Sequence, residues 1–542
     1  MKRGFPLRLS AFAGEILVLC LTISVAAASL RIQDIGGTLA FQGQDIVGGA
    51  AIIFKPPKRV RDLAGNTAAL LAVRRPSRSN RPTEVARNNN TTDRNRPTTT
   101  TAVATTTTTT ENRVDALTEQ GNAHYDRGDY QQAIEAYQNA LKLDPKDADL
   151  YTNLGAAQFN LNKFNEAAAA FQKAVALKSD DADTFNNLGA SLYKAGRYQE
   201  ASEAFQHAVR LTPNDADALN NLGAVYYVLQ QYDRALDSFQ KAIAANRDSA
   251  DAHYNLGNAY YMSGRNNEAA TAYRTAIRLN PNYIEAKTNL GSLMISTDPR
   301  GAIAELRESV RLRPDNPVAY NNLGFAFVKI AETLDRVDAV PYLRQAVEAY
   351  KEALRLKPDY VKAMNNLGAA YNKLGQYQEA LVLLQNATRA KPDFPEAHYN
   401  LGTALYNGGD FKGAVNEFQQ AIRLRQDYAD AYNSLGTALY KDQQFDPAIS
   451  AYKKTLALKP VNAETHNNLG TVYFRTKRYQ EAAASFKEAI RIKPDYGEAH
   501  FNLALTYVAL NDRKAALEQY NRLKKLDAKL AEEFFQRYMK NR

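Results

Sequence analysis

ADALNNLGAVYYVLQQYDRALDSFQKAIAANRDS, residues 216–249, is the stretch on which the reading of the whole chain turns. Its glycine, Gly223, belongs to a series: Gly121, Gly155, Gly189, Gly223, Gly257, Gly291, Gly324, Gly368, Gly402, Gly436 and Gly470. Eight of the ten intervals are 34 residues and the other two are 33 and 44. Alanines recur in phase, at Ala133, Ala167, Ala201, Ala235, Ala269, Ala302, Ala346, Ala380, Ala414, Ala448, Ala482 and Ala516. Four residues after each comes a large apolar side chain, such as Tyr137, Phe171, Phe205, Phe239 or Phe418, and Pro145, Pro213, Pro281, Pro314, Pro358, Pro392, Pro460 and Pro494 close most units. Steps of three and four residues put these positions on one face of a helix. Each unit therefore reads as two helices. The first (A) carries the Leu-Gly pair and the second (B) the alanine and its knob, with turns such as Arg127-Gly128-Asp129-Tyr130 and Ala195-Gly196-Arg197-Tyr198 between them. A single hairpin leaves an apolar face uncovered, so the units must stack.

This Leu-Gly, alanine and aromatic pattern resembles the tetratricopeptide repeat family over residues 113–530, twelve units in all. The resemblance implies an all-α fold, a right-handed superhelical solenoid of helical hairpins, closed here by a C-terminal capping helix at 531–542 with Phe534, Phe535 and Tyr538. Tryptophan, frequent in the family motif, is absent; Tyr151, Phe185, Leu219, Tyr320 and the histidines His253, His398, His466 and His500 occupy its place. The unit from Ile284 is one residue short, and the next has about ten extra residues within 328–343, which predicts a distortion near 316–345. The array is divided there into 113–316 and 317–530.

The residues before the array have another character. Lys2, Arg3 and Arg8 precede the apolar run Ala11–Ala28, the order of a signal peptide or signal anchor over 1–28, with Glu15 its one flaw. Either form places the rest outside the cytoplasm, as a periplasmic, secreted or outward-facing anchored protein, with a membrane tether in the second case. Residues 29–75 match no known pattern and are compatible with a short β-hairpin. Residues 76–112 are Arg, Asn, Pro and Thr, with ten threonines in the thirteen positions from Thr98 to Thr110, and read as a disordered linker. The net charge of +10 is concentrated here: 15 Lys+Arg against 7 Asp+Glu up to residue 112, but 53 against 51 beyond it. A basic stretch without interleaved aromatics behind an export signal gives no nucleic-acid signature. The single cysteine, Cys20, excludes a disulfide framework and a cysteine-based zinc site.

No phosphate-binding glycine loop, serine nucleophile elbow or HExxH helix occurs. The histidines named above share one repeat position and so lie a repeat or more apart. Neither an enzyme nor a metal or cofactor site is expected. Acidic residues from Asp115, Asp149, Asp183, Asp217 and Asp251 onward are expected in the first turn of each A helix, where they offset the helix dipole. Two residues before the repeat glycine stands an asparagine: Asn153, Asn187, Asn221, Asn255, Asn289, Asn322, Asn366, Asn400, Asn468 and Asn502, interrupted by Glu119 and Ser434. An amide donates and accepts, so such a row can pair with the backbone of an extended peptide without reading its sequence. The row resembles the asparagine ladder in the repeat region of O-linked N-acetylglucosamine transferases, and the array resembles exported bacterial repeat scaffolds. Those resemblances imply peptide binding on the concave A-helix face, with Tyr226, Tyr260, Phe325 and Phe327 as candidates for selectivity. The expected function is a non-enzymatic scaffold binding other proteins or peptide segments, in cell-envelope assembly. The alternative is a substrate-targeting subunit for a separate enzyme such as a glycosyltransferase.

Overall fold

The computed structural model describes residues 101–536, which form two compact units, 101–290 and 291–536. The export segment, residues 29–75, the linker up to residue 100 and Tyr538 lie outside the described residues. Among those described every regular element is a helix, 25 in all, and the all-α tandem-hairpin expectation holds.

In the first unit the hairpins are Thr101–Arg127 with Tyr130–Leu143, Ala148–Asn160 with Phe164–Leu177, Ala182–Lys194 with Tyr198–Leu211, Ala216–Val228 with Tyr232–Ala245, and Ala250–Met262 with Asn266–Leu279. Four of the five A helices of this unit start where the sequence supplies a side-chain cap. The Asp147, Asp181 and Asp215 carboxylates accept from backbone amides of the following turn, satisfying donors that a helix start leaves orphaned. The chain then leaves helix A through a residue with positive φ: Gly128, Gly196 and Gly264, or Asn162 and Gln230 in their place. The first helix departs from the composition-based expectation, because it begins inside the threonine tract expected to be disordered. Val114 is buried in the first core with Ala133, Ile134 and Tyr137, and extending an existing helix costs far less than starting one.

The glycine and the knob explain the close pairing of A with B. A Cβ built on Gly223 would lie 2.7 Å from the Phe239 ring, and one on Gly189 would lie 2.8 Å from Phe205. Both rings and the phase alanines Ala201 and Ala235 are fully buried. Each B helix packs on the next A helix, successive A helices touch, and successive B helices are held apart by the A helix between them. The A side is thus the crowded inner face and the B side the splayed outer one.

In the second unit the hairpins run from Pro317–Ala331 with Arg336–Leu356 to Gly497–Ala509 with Arg513–Leu526. The ten extra residues lengthen one hairpin: its A helix has 15 residues and its B helix 21, with Pro341 inside the added turns. Ile330, Ala331, Ala339 and Leu343 of the extension are buried in the core shared with the neighbouring hairpins, and the next repeat begins with the helix Val361–Leu374. The last described helix is Ala528–Phe534, which begins before the expected 531. There Phe534 is fully buried, 5.6 Å edge-on to Phe501 and packed with Ala504, Leu523 and Ala531, while Phe535 is partly exposed. This short helix covers the apolar end of the last hairpin.

Candidate functional site

The asparagine row lies between A helices, and the crowding of the inner face decides its environment. Asn187, Asn289, Asn322, Asn366 and Asn400 are fully buried, Asn221 and Asn255 nearly so, and Asn153, Asn468 and Asn502 partly buried. Seven of the ten donate an amide N–H within the array. Asn221 Nδ2 donates to Asn186 Oδ1 at 3.0 Å and Asn255 Nδ2 to Asn220 Oδ1 at 3.0 Å, each reaching 35 residues back. The second unit repeats the bond: Asn366 to Asn321 at 3.1 Å, Asn400 to Asn365 at 2.8 Å, and Asn502 to Asn467 at 3.0 Å. Where the acceptor position holds tyrosine the donor still arrives, as from Asn289 to the Tyr254 hydroxyl at 3.4 Å and on to Asn258 Oδ1 at 3.1 Å. Even Ser434, a break in the row, donates to the Tyr399 hydroxyl at 3.4 Å. Asn322 Nδ2 donates instead to Ser292 Oγ. The row is therefore a ladder that sets the register of one repeat on the next.

Sequence reasoning missed the other rail of this ladder. The signal was present in the doublets Asn186-Asn187, Asn220-Asn221, Asn321-Asn322, Asn365-Asn366 and Asn467-Asn468, where one asparagine of each doublet accepts and the other sits at the donor position. It also missed a row of aromatic residues four positions after the repeat glycine. Tyr125, Phe159, Tyr193, Tyr227 and Tyr261 occupy it in the first unit, and Tyr406, Tyr440 and Phe474 in the second. Most of these rings stand edge-on or tilted to the first residue of the next B helix, as Tyr193 does to Tyr198 at 5.2 Å and Tyr227 to Tyr232 at 5.8 Å. Burial, followed by neighbouring tyrosines, raises the hydroxyls of Tyr193 and Tyr227 well above their ordinary range, so both stay protonated donors. Asn160 Nδ2 donates to the Tyr125 hydroxyl at 2.8 Å and Arg475 Nε to the Tyr440 hydroxyl at 3.1 Å, so this row too is stitched across repeats.

The proposed selectivity residues separate. Phe325 and Phe327 are core, whereas Tyr226 and Tyr260 stay partly exposed and turn to the outer face. Gln206 Nε2 donates to the Tyr226 hydroxyl at 3.0 Å, and the Arg234 guanidinium lies 5.6 Å from the ring centre. Tyr260 repeats the arrangement with Gln240 at 3.1 Å and Arg265 at 4.4 Å. Around Tyr226 the gap between the two neighbouring B helices forms a groove of about 1090 Å3, floored by Leu219 and Leu222. Along the acidic row, Asp149 is raised by burial, opposed by Lys178 and reinforced by Asp147 and Asp181. Among the described residues no three His, Cys, Asp or Glu side chains converge as a metal site.

Tetratricopeptide repeat models match residues 121–162, 159–196, 180–248, 225–284, 343–375, 368–409, 404–443, 433–497 and 473–532. The chain belongs to the tetratricopeptide repeat family. The matched segments flank 285–342, where the glycine spacing leaves 34. Among solved structures it is similar to the Cut9–Hcn1 hetero-tetramer of the APC/C, at 14% identity and TM-score 0.44 over 81% of this chain and 99% of that one. It is also similar to MamA from Desulfovibrio magneticus, at 26% identity and TM-score 0.30 over 31% and 95% of the two chains. YrrB, described as a tetratricopeptide repeat protein with an unusual peptide-binding site, matches at 24% identity and TM-score 0.30 over 36% and 95%. No curated protein matches the chain. A tetratricopeptide repeat array is a protein-interaction module, and its family is generally non-catalytic.

Proposed function

We propose that this protein is a non-enzymatic scaffold that holds extended segments of partner proteins on the A-helix face, in cell-envelope assembly. The observation that carries the reading is the aromatic row Tyr193, Tyr227 and Tyr261: partly exposed rings at one repeat spacing on a face whose other side chains are locked. Aromatic residues supply large contact area at small entropic cost, and their hydroxyls add hydrogen bonds to a passing backbone. The asparagine ladder supports this role by holding the helices in register, since seven of its ten amide groups already donate within the array. Export rests on Lys2, Arg3, Arg8 and the apolar run to Ala28. A second reading, docking in the outer groove at Tyr226, is favoured by the open volume there.

Selection of peptides from a random extended library by the full chain tests these readings together. Enriched peptides that lose binding to Tyr193→Ala/Tyr227→Ala, and keep it with Gln206→Ala/Arg234→Ala, support the inner-face row. The opposite pattern moves the site to the outer groove. Selection of no peptide by the folded chain refutes the peptide-binding scaffold. Export is tested separately by locating the expressed protein and sequencing its amino terminus.

A further inference from the structure

Four histidines share one repeat position, and comparing them isolates one. The Nε2 atoms of His253, His398 and His500 face the carbonyls of Arg247, Pro392 and Pro494 at 3.2, 3.0 and 3.1 Å, six residues back in the turn that enters the A helix. His466 has the same kind of bond to Pro460. The four differ at the residue nineteen positions on, in the B helix of the same hairpin: Ala272, Glu417, Ser485 and Gln519. His398 Nδ1 lies 2.6 Å from Glu417 Oε2, and His500 Nδ1 lies 2.8 Å from Gln519 Oε1. A glutamine amide can rotate to offer a donor, so the His500 site suits a neutral imidazole. An ionised carboxylate cannot donate. With a carbonyl on one nitrogen and a carboxylate on the other, both nitrogens of His398 must donate, and only the imidazolium carries two N–H groups.

We propose that His398 and Glu417 form a proton-dependent latch that ties together the hairpin of Pro395–Asn407 and Phe411–Leu424 and the Pro392 turn, closed when His398 is charged and loosened when it is neutral. The other charged groups near the ring are engaged elsewhere. Glu396, on the same helix, pairs with Arg425; Lys391, in the preceding turn, lies over the Phe394 ring; and Asp430, on the next A helix, pairs with Lys459 at 2.9 Å. The pair is largely enclosed, the two side chains being 13% and 25% exposed, which protects it from solvent screening. Burial pulls the imidazole down, but the Glu417 hydrogen bond, the Pro392 carbonyl and the carboxylate charge outweigh it, and His398 is raised overall. For a raised histidine the stabilisation is complete below the unfolded value of about 6.5 and is lost as pH rises through the folded value.

The test uses the full chain with labelled histidine, following the titration of all six histidine rings, together with hydrogen exchange of residues 395–424 at about pH 6 and about pH 8.5, corrected for the intrinsic rate. His398 is expected to titrate above 6.5, while burial holds His253 and His466 below it. Protection of 395–424 should fall with rising pH by about tenfold for each unit by which His398 titrates above 6.5. Glu417→Gln should remove both effects, and Gln519→Glu should create a second raised histidine at His500, which keeps the test open if Glu417→Gln fails to fold. A His398 titration at or below 6.5, protection of 395–424 independent of pH, or no raised histidine in Gln519→Glu would each overturn the latch.

Discussion

Gly257→Ala tests whether the repeat glycine is there for space or for flexibility. Glycine in a helix interior is about 1 kcal/mol worse than alanine, so propensity alone predicts that the substitution stabilises. The structure predicts the reverse. The added Cβ would lie 2.6 Å from Tyr273 Cε1 and 2.7 Å from Cδ1. That ring cannot step aside, because it is fully buried and its hydroxyl donates to Asn258 Oδ1 at 2.7 Å. Overpacking a filled core costs about 1–3 kcal/mol, and a pinned ring belongs in the upper half of that range. Subtracting the propensity gain leaves a net loss of about 1–2 kcal/mol, or roughly 5- to 30-fold faster opening of the hairpin. Repeat arrays need not unfold as one unit, so the assay is hydrogen exchange of residues 250–279 rather than a single melting temperature. The control is Gly264→Asn in the turn of the same hairpin, where φ is +73° and nothing lies within 4 Å of an added Cβ. The second hairpin of the first unit already uses Asn162 at φ 59° there, so this change should cost well under 1 kcal/mol. Slower exchange in Gly257→Ala than in the parent would refute the argument for a steric glycine.

Three further outcomes follow from the same geometry. Asn221→Ala strands the buried Asn186 acceptor and should cost about 1–3 kcal/mol, read as faster exchange in both neighbouring A helices, with no change if the ladder is idle. Gln230→Gly relieves a side chain held at φ 59° and should stabilise its hairpin by up to about 1 kcal/mol, seen as slower exchange of residues 216–245. Phe534→Ala removes a fully buried ring from the end of the array and should cost about 3–5 kcal/mol locally, exposing residues 497–526 to limited proteolysis while 361–390 stays resistant.

The helices, their pairing and the capping helix were legible in the sequence because each is written in near-neighbour spacing. Leu-Gly followed by Ala and a ring four residues on can satisfy only one packing. At 328–343 spacing shows that residues were added but not where they go: they lengthen both helices of one hairpin, and Ile330, Ala339 and Leu343 join the core shared with the neighbouring hairpins. The end of the threonine tract shows a related limit: composition describes an isolated segment, whereas residues 101–110 continue the first helix.

The asparagines show how far a pattern can be legible while its meaning is not. Their period was plain, and an amide suits either a ligand or a neighbour equally well, so residue chemistry could not choose. The choice is made by how closely the A helices approach. The repeat glycine and the phase alanine draw B down onto A, and the next A helix is wedged against that pair; the A helices consequently touch while the B helices splay. Polar side chains on the crowded face must then find partners within it, since an unpaired buried amide is costly. That demand explains why the doublets place an acceptor beside each donor. It explains equally why a tyrosine hydroxyl substitutes at Tyr254 and Tyr399: any acceptor will serve if it stands in register. A ladder tolerant of acceptor chemistry but strict about position is what register demands.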